Sequence, residues 1–66
     1  MLSKNFGRAL CNARREGGMS RATIADAAGV TRQFVRLLER GERDVSLDRA
    51  SRLAKAVGKT VCDLLR

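Results

Sequence analysis

Six glycines and no proline divide this chain into short segments, and within each segment the apolar residues recur at helical spacing. Phe6, Ala9, Leu10 and Ala13 fall at i, i+3, i+4 and i+7, which predicts a helix over about residues 4 to 16 that stops at Gly17 and Gly18. Ser20 caps a second helix, with Ile24, Ala25 and Ala28 inward and Gly29 as its stop. Thr31 caps a third, with Val35 and Leu38 inward and Gly41 following Arg40 as its end. Ser46 caps a fourth, whose apolar positions are Leu47, Ala50, Leu53, Ala54 and Val57 before Gly58. Thr60 and Asp63 form a short-acid version of the capping box and open a last turn or two carrying Val61, Leu64 and Leu65. The β-branched alternation that a strand needs is absent. The fold class is therefore all-α, with five short helices.

At 66 residues the chain reads as one domain, residues 1–66, and a chain so short buries only about 60% of the surface it exposes when unfolded. Phe6 and Phe34 are the only aromatics, so the core is built from Leu, Val, Ile, Ala and Met. Small domains without disulfides or metal usually gain stability by oligomerising, so a dimer is expected. Cys11 and Cys62 are far apart and histidine is absent, which leaves no metal-ligand spacing and implies no cofactor. Both cysteines read as free thiols of a reducing cytoplasm, since a disulfide between them would require an oxidising compartment. The first nine residues carry two cations and no apolar run of signal-peptide length, and nowhere do 18 apolar residues follow one another. A cytoplasmic location is the expectation. With no histidine, no metal set and no paired-carboxylate cleft, an enzyme is not expected.

Fourteen Lys and Arg against seven Asp and Glu leave a net charge of +7, and eleven of the cations are Arg, whose planar fork suits phosphates and base edges. A polyanionic partner follows from that excess, but so does plain solubility, and charge alone does not choose between them. Organisation is more informative. Residues 20 to 39 have the layout of a helix-turn-helix unit: two short helices joined by a glycine-containing turn, the second entering the major groove. At about 100° per residue from Thr31, Val35 and Leu38 lie near 40° and 340°, while Arg32, Gln33, Arg36 and Leu37 span roughly 100° to 240°. That outward set holds what base readout uses, since Arg pairs with guanine, Gln with adenine, and an apolar side chain meets a thymine methyl. Arg32 and Gln33, in the first helical turn, are the first choices as base readers. The bland alternative is a solvated polar face, against which an outward Leu37 argues mildly. Phe34, near 300°, is assigned to packing.

The ordered run Phe6-Gly7, Leu10, Arg14, Gly18-Met19-Ser20, Ile24-Ala25, Gly29-Val30-Thr31, Val35, Leu38-Glu39-Arg40-Gly41, Ser46-Leu47 and Leu53 through Gly58 resembles the Cro and phage-repressor type of helix-turn-helix domain, the large bacterial family also named for the xenobiotic response element. The likeness spans almost the whole chain and implies a lambda-repressor-like fold that binds double-stranded DNA. It implies phosphate contacts from Ser20, Arg21 and Thr31, with Arg21 standing where relatives commonly have Gln. The loop of Glu42 to Val45 is implied to lie against the DNA backbone, with Arg43 as its phosphate contact and Arg40 in reserve. Val45 replaces the proline often found there. Arg14 and Glu39 match an ion pair that braces the first helix against the end of the third.

One recognition helix covers few base pairs, so a two-fold dimer reading half-sites about 34 to 36 Å apart is expected. The resemblance implies a C-terminal dimer surface; Val57, Val61, Leu64 and Leu65 supply apolar side chains there, and the same four residues equally suit the monomer's own core. A chain without a sensing or cleavage domain acts by occupancy, blocking polymerase or recruiting it, and repression is the simpler outcome. Small regulators that resemble it include Cro-like phage proteins, restriction-modification controllers and antitoxins. The alternative function is a protein-interaction module, such as the antitoxin half of a toxin-antitoxin pair, with a toxin or RNA polymerase as partner.

Overall fold

A computed structural model describes residues 2–65. Its elements are α1 (Leu2–Glu16), α2 (Arg21–Ala28), α3 (Arg32–Glu39), α4 (Leu47–Ala56) and α5 (Val61–Leu65), with no strand among the described residues. The all-α expectation of five short helices is met, and α1 begins two residues earlier than the apolar periodicity suggested. No helix is long and apolar enough to cross a membrane.

Helices α2 to α5 each start where a side-chain oxygen satisfies an orphan backbone N–H. Ser20 Oγ accepts from the amide of Thr23 at 3.1 Å, Thr31 Oγ1 from Phe34 at 3.0 Å, and Ser46 Oγ from Arg49 at 3.2 Å. At α5 the box is reciprocal: Thr60 N donates to Asp63 Oδ2 at 3.0 Å, and Asp63 N to Thr60 Oγ1 at 3.1 Å. Asp is one methylene shorter than the usual Glu and still reaches.

The turn between α2 and α3 depends on Gly29, whose φ of +72° lies in the left-handed region where a Cβ is costly. There the amide of Gly29 donates to Asp26 O at 3.3 Å and that of Val30 to Ala25 O at 3.0 Å, a paired closure that satisfies two terminal carbonyls. The same paired bonds close α1 at Gly18 and Met19, α3 at Gly41 and Glu42, and α4 at Gly58 and Lys59.

The core is one cluster in which Phe6, Leu10, Ile24, Val35, Leu38 and Leu53 are completely enclosed. Helix α2 packs on α4, and α1 on both α3 and α5. Gly7, inside α1, makes the α1–α3 approach close: a Cβ there would overlap the Leu38 carbonyl oxygen and stand 2.9 Å from its carbon. Glycine weakens a helix interior, and here that cost is offset by letting two backbones meet.

One apolar position departs from the sequence expectation, and two that were open between core and interface fall in the core. Leu47 is 67% exposed rather than inward. It is the first residue of α4, and helical side chains lean toward the N-terminus, so its side chain projects past the helices that cover Ala50 and Leu53. Val57 and Leu64 are buried, at 7% and 8% exposure, within the chain's own core. Two of the four residues assigned to a dimer face are thus already covered. Val61 is half-buried and Leu65 is exposed.

Candidate nucleic-acid interface

Helix α3 stands between two concavities. The first is lined by Arg14, Ser20 and Arg21 on one side and by Arg32, Gln33 and Arg36 of α3 on the other. The second is lined by Thr31, Gln33, Phe34 and Leu37 together with Arg43 and Arg49 from the loop and from α4. Gln33 borders both, so it stands on the ridge that separates them. Ser20, Arg21, Thr31, Arg32, Gln33, Arg36, Leu37 and Arg43, the first choices for base or phosphate contact, therefore each border one of these two hollows. Arg32, Gln33 and Arg36 are exposed, whereas Leu37 is half-buried at the margin of the second hollow rather than in the open middle of the face. Arg40, the reserve candidate, borders neither; its Nε lies 2.6 Å from Glu42 Oε2 in an exposed pair.

Behind the first hollow lies an ion cluster. Arg14 Nε donates to Glu39 Oε2 at 2.8 Å and its Nη2 to Oε1 at 3.3 Å, a forked contact. Arg14 Nη1 also donates to the carbonyl of Met19 at 3.0 Å, which ties the end of α1 to the turn before α2. The sequence reading did not foresee that Arg21 Nε also reaches Glu39 Oε1, at 2.9 Å. The Glu39 side chain is only 2% exposed, while Arg14 is 11% and Arg21 40% exposed. Burial pushes the Glu39 carboxyl up, but the hydrogen bonds and charges of Arg14 and Arg21 outweigh it and hold the carboxyl below its ordinary value. The hydrogen bond to Glu39 raises the Arg14 guanidinium above its usual range, against the opposing effect of burial. Glu39 thus joins α1, the start of α2 and the end of α3 through one carboxylate.

The helix caps keep their donors. In capping, Ser20 and Thr31 use an oxygen lone pair, and the Thr31 hydroxyl proton remains free to donate to an anion in the second hollow. Ser20 shares its hydroxyl with Thr23 Oγ1 at 2.9 Å, so its donor is partly engaged. Arg43 and Arg49 each place Cζ 5.3 Å from the centroid of the Phe34 ring. Arg49 was not nominated from sequence. The available signal was its place in the first turn of α4, where the helix dipole disfavours a cation that has no other task; Arg21 and Arg32 open α2 and α3 in the same way.

A polar helix flanked by two arginine-lined hollows, held by a short turn from a preceding helix, defines a helix-turn-helix DNA-binding protein. The family profile described as helix-turn-helix matches residues 12–64. An uncharacterized helix-turn-helix-type transcriptional regulator of Methanothermobacter thermautotrophicus is 41% identical over 46 residues, which is 70% of this chain and 67% of that protein. Among solved structures, the clp gene regulator ClgR from Corynebacterium glutamicum superposes with a TM-score of 0.93 at 31% identity, covering 98% of this chain and 69% of that one. The restriction-modification controller protein C.AhdI from Aeromonas hydrophila gives 0.86 at 36% identity, covering 92% of each. The chain belongs to the helix-turn-helix family of the Cro and phage-repressor type, whose members are DNA-binding transcriptional regulators.

Proposed function

We propose that the protein is a repressor that binds a palindromic operator as a homodimer, placing α3 in the major groove of each half-site. The observation that carries this reading is the position of Gln33 on the ridge between two arginine-lined hollows: base readers stand at the crest, and phosphate-binding groups flank them on both sides. Arg32, Gln33 and Arg36 read base edges, and Leu37, at the margin, meets a thymine methyl. Ser20 and Arg21 hold the backbone on one flank; Thr31 and Arg43 hold it on the other. Arg14 and Glu39 brace the unit from behind. The dimer uses the side chains of α5 that the core leaves uncovered, chiefly Leu65 with the accessible part of Val61. Repression follows from occupancy of the site against polymerase.

Selection of bound duplexes from a random library tests this directly. The winners should share an inverted repeat with half-sites about one helical turn apart, roughly 34 to 36 Å. A single unrepeated half-site would remove the homodimer from the account, and the absence of any enriched sequence would remove specific recognition.

A further inference from the structure

Phe34 has 7% of its surface exposed and belongs to the core cluster, yet two guanidinium groups from different segments lie against its ring. Arg43 comes from the loop after α3, and Arg49 from α4. Each Cζ is 5.3 Å from the ring centroid, within the range of a cation–π contact. Among the described residues neither guanidinium makes an ion pair, although Asp44 and Asp48 are their neighbours in sequence and Asp48 pairs instead with Arg52 at 2.7 Å. Two like charges without an ion-pair partner among the described residues thus lie against one aromatic ring, in a hollow that also offers the Thr31 hydroxyl and the Gln33 amide. An anion that enters this hollow is attracted by both guanidinium groups.

We infer that Phe34 is a positioning residue for a two-arginine clamp, Arg43 and Arg49, that closes on the DNA phosphate backbone along the flank of α3 bordered by Thr31 and Leu37. This inference rests on the DNA-binding reading above and adds Arg49 and Phe34 to it. The ring holds both guanidinium groups beside the hollow before DNA arrives, so less rotamer freedom is lost on binding. Arg49 then contributes affinity without sequence preference, because a phosphate contact carries no base information.

The test measures affinity against salt for the full chain on two probes of equal length, a library-selected duplex and its scrambled counterpart. Arg49→Ala should weaken both probes by about tenfold at 0.1 M salt and reduce the slope of log affinity against log salt by about 0.9, the release expected for one phosphate. Arg49→Lys should retain the wild-type slope and still weaken both probes, since the charge remains and the stacked fork is lost. Phe34→Leu, with a thermal melt to establish folding, should leave the slope intact while lowering affinity for both probes by about fivefold. An unchanged slope in Arg49→Ala would overturn the clamp, as would a loss confined to the selected duplex. Wild-type affinity in Arg49→Lys, or in folded Phe34→Leu, would overturn the positioning role of the ring. Failure of the wild-type chain to bind either duplex would instead overturn the DNA-binding reading itself.

Discussion

At the scale of single residues, Glu39 carries more than its sequence position suggests. Its carboxylate is nearly inaccessible and serves both Arg14 and Arg21. Removing it strands Arg14 in a half-buried site, and breaking a buried pair typically costs about 3 to 5 kcal/mol. Glu39→Ala should therefore lower the urea midpoint sharply. The pH dependence follows from the direction of its shift. The folded carboxyl lies below its ordinary value, so its stabilisation is complete above the unfolded pKa, about 4.3, and is lost as pH falls through the folded value. Urea melts of wild type and Glu39→Gln should differ most near pH 6 and draw together as pH falls below the unfolded pKa and through the lower folded one; a constant difference would contradict the assignment. Gly7 is a second such residue. A methyl group there meets the Leu38 carbonyl, backbone rather than a side chain that could turn aside, so Gly7→Ala should destabilise by about 1 to 3 kcal/mol despite alanine's better helix propensity. A melting temperature equal to or above wild type would show that α1 and α3 can separate without cost.

At the scale of helices, capping sets the geometry that recognition uses. Thr31 fixes the first turn of α3, where Arg32 and Gln33 stand, by accepting the amide of Phe34 at 3.0 Å. Thr31→Ala should cost about 1 kcal/mol of stability, and the frayed turn should weaken specific DNA binding by more than a stability loss alone produces in a protein still folded. Thermal melts combined with fluorescence anisotropy on the selected duplex separate stability from binding; unaltered binding would mean that the first turn is ordered without its cap and that the Thr31 hydroxyl holds no phosphate. These boundaries were legible in the sequence because a cap and a stop are local chemistry: Ser20, Thr31, Ser46 and Thr60 begin helices, and Gly29 and Gly41 end them. The inward positions of α3 were legible for the same reason, since Val35 and Leu38 follow from the helical period. What depended on neighbours in space was not. The exposure of Leu47 depends on where α4 ends, the second bond of Glu39 on how close α2 comes, and the company of Phe34 on Arg49, which stands 15 residues further along the chain. The C-terminal apolar residues were ambiguous because one pattern serves a core and an interface equally, and folding places Val57 and Leu64 in the core.

At the scale of the molecule, five helices enclose a single core within 25 × 21 × 19 Å, the net charge is +7, and Arg14, Arg21, Arg32, Arg36, Arg43 and Arg49 line the two hollows beside α3. The division of labour follows from the fold. Side chains of all five helices contribute to the core, the Glu39 cluster locks α1, α2 and α3 together, and Arg32, Arg36, Arg43 and Arg49 stay exposed to face a partner. A field of that sign draws in any polyanion, so attraction to DNA by itself does not test the account. Its central claim is that the crest of α3 reads sequence while the flanks do not. The most direct measurement is the affinity of wild type and Gln33→Ala for the selected duplex and for its scrambled counterpart at one salt concentration. Wild type should prefer the selected duplex, and Gln33→Ala should lose about 1 to 3 kcal/mol on that duplex and nothing on the scrambled one. Equal binding of both duplexes by the wild type, or an equal loss on both in the variant, would contradict it.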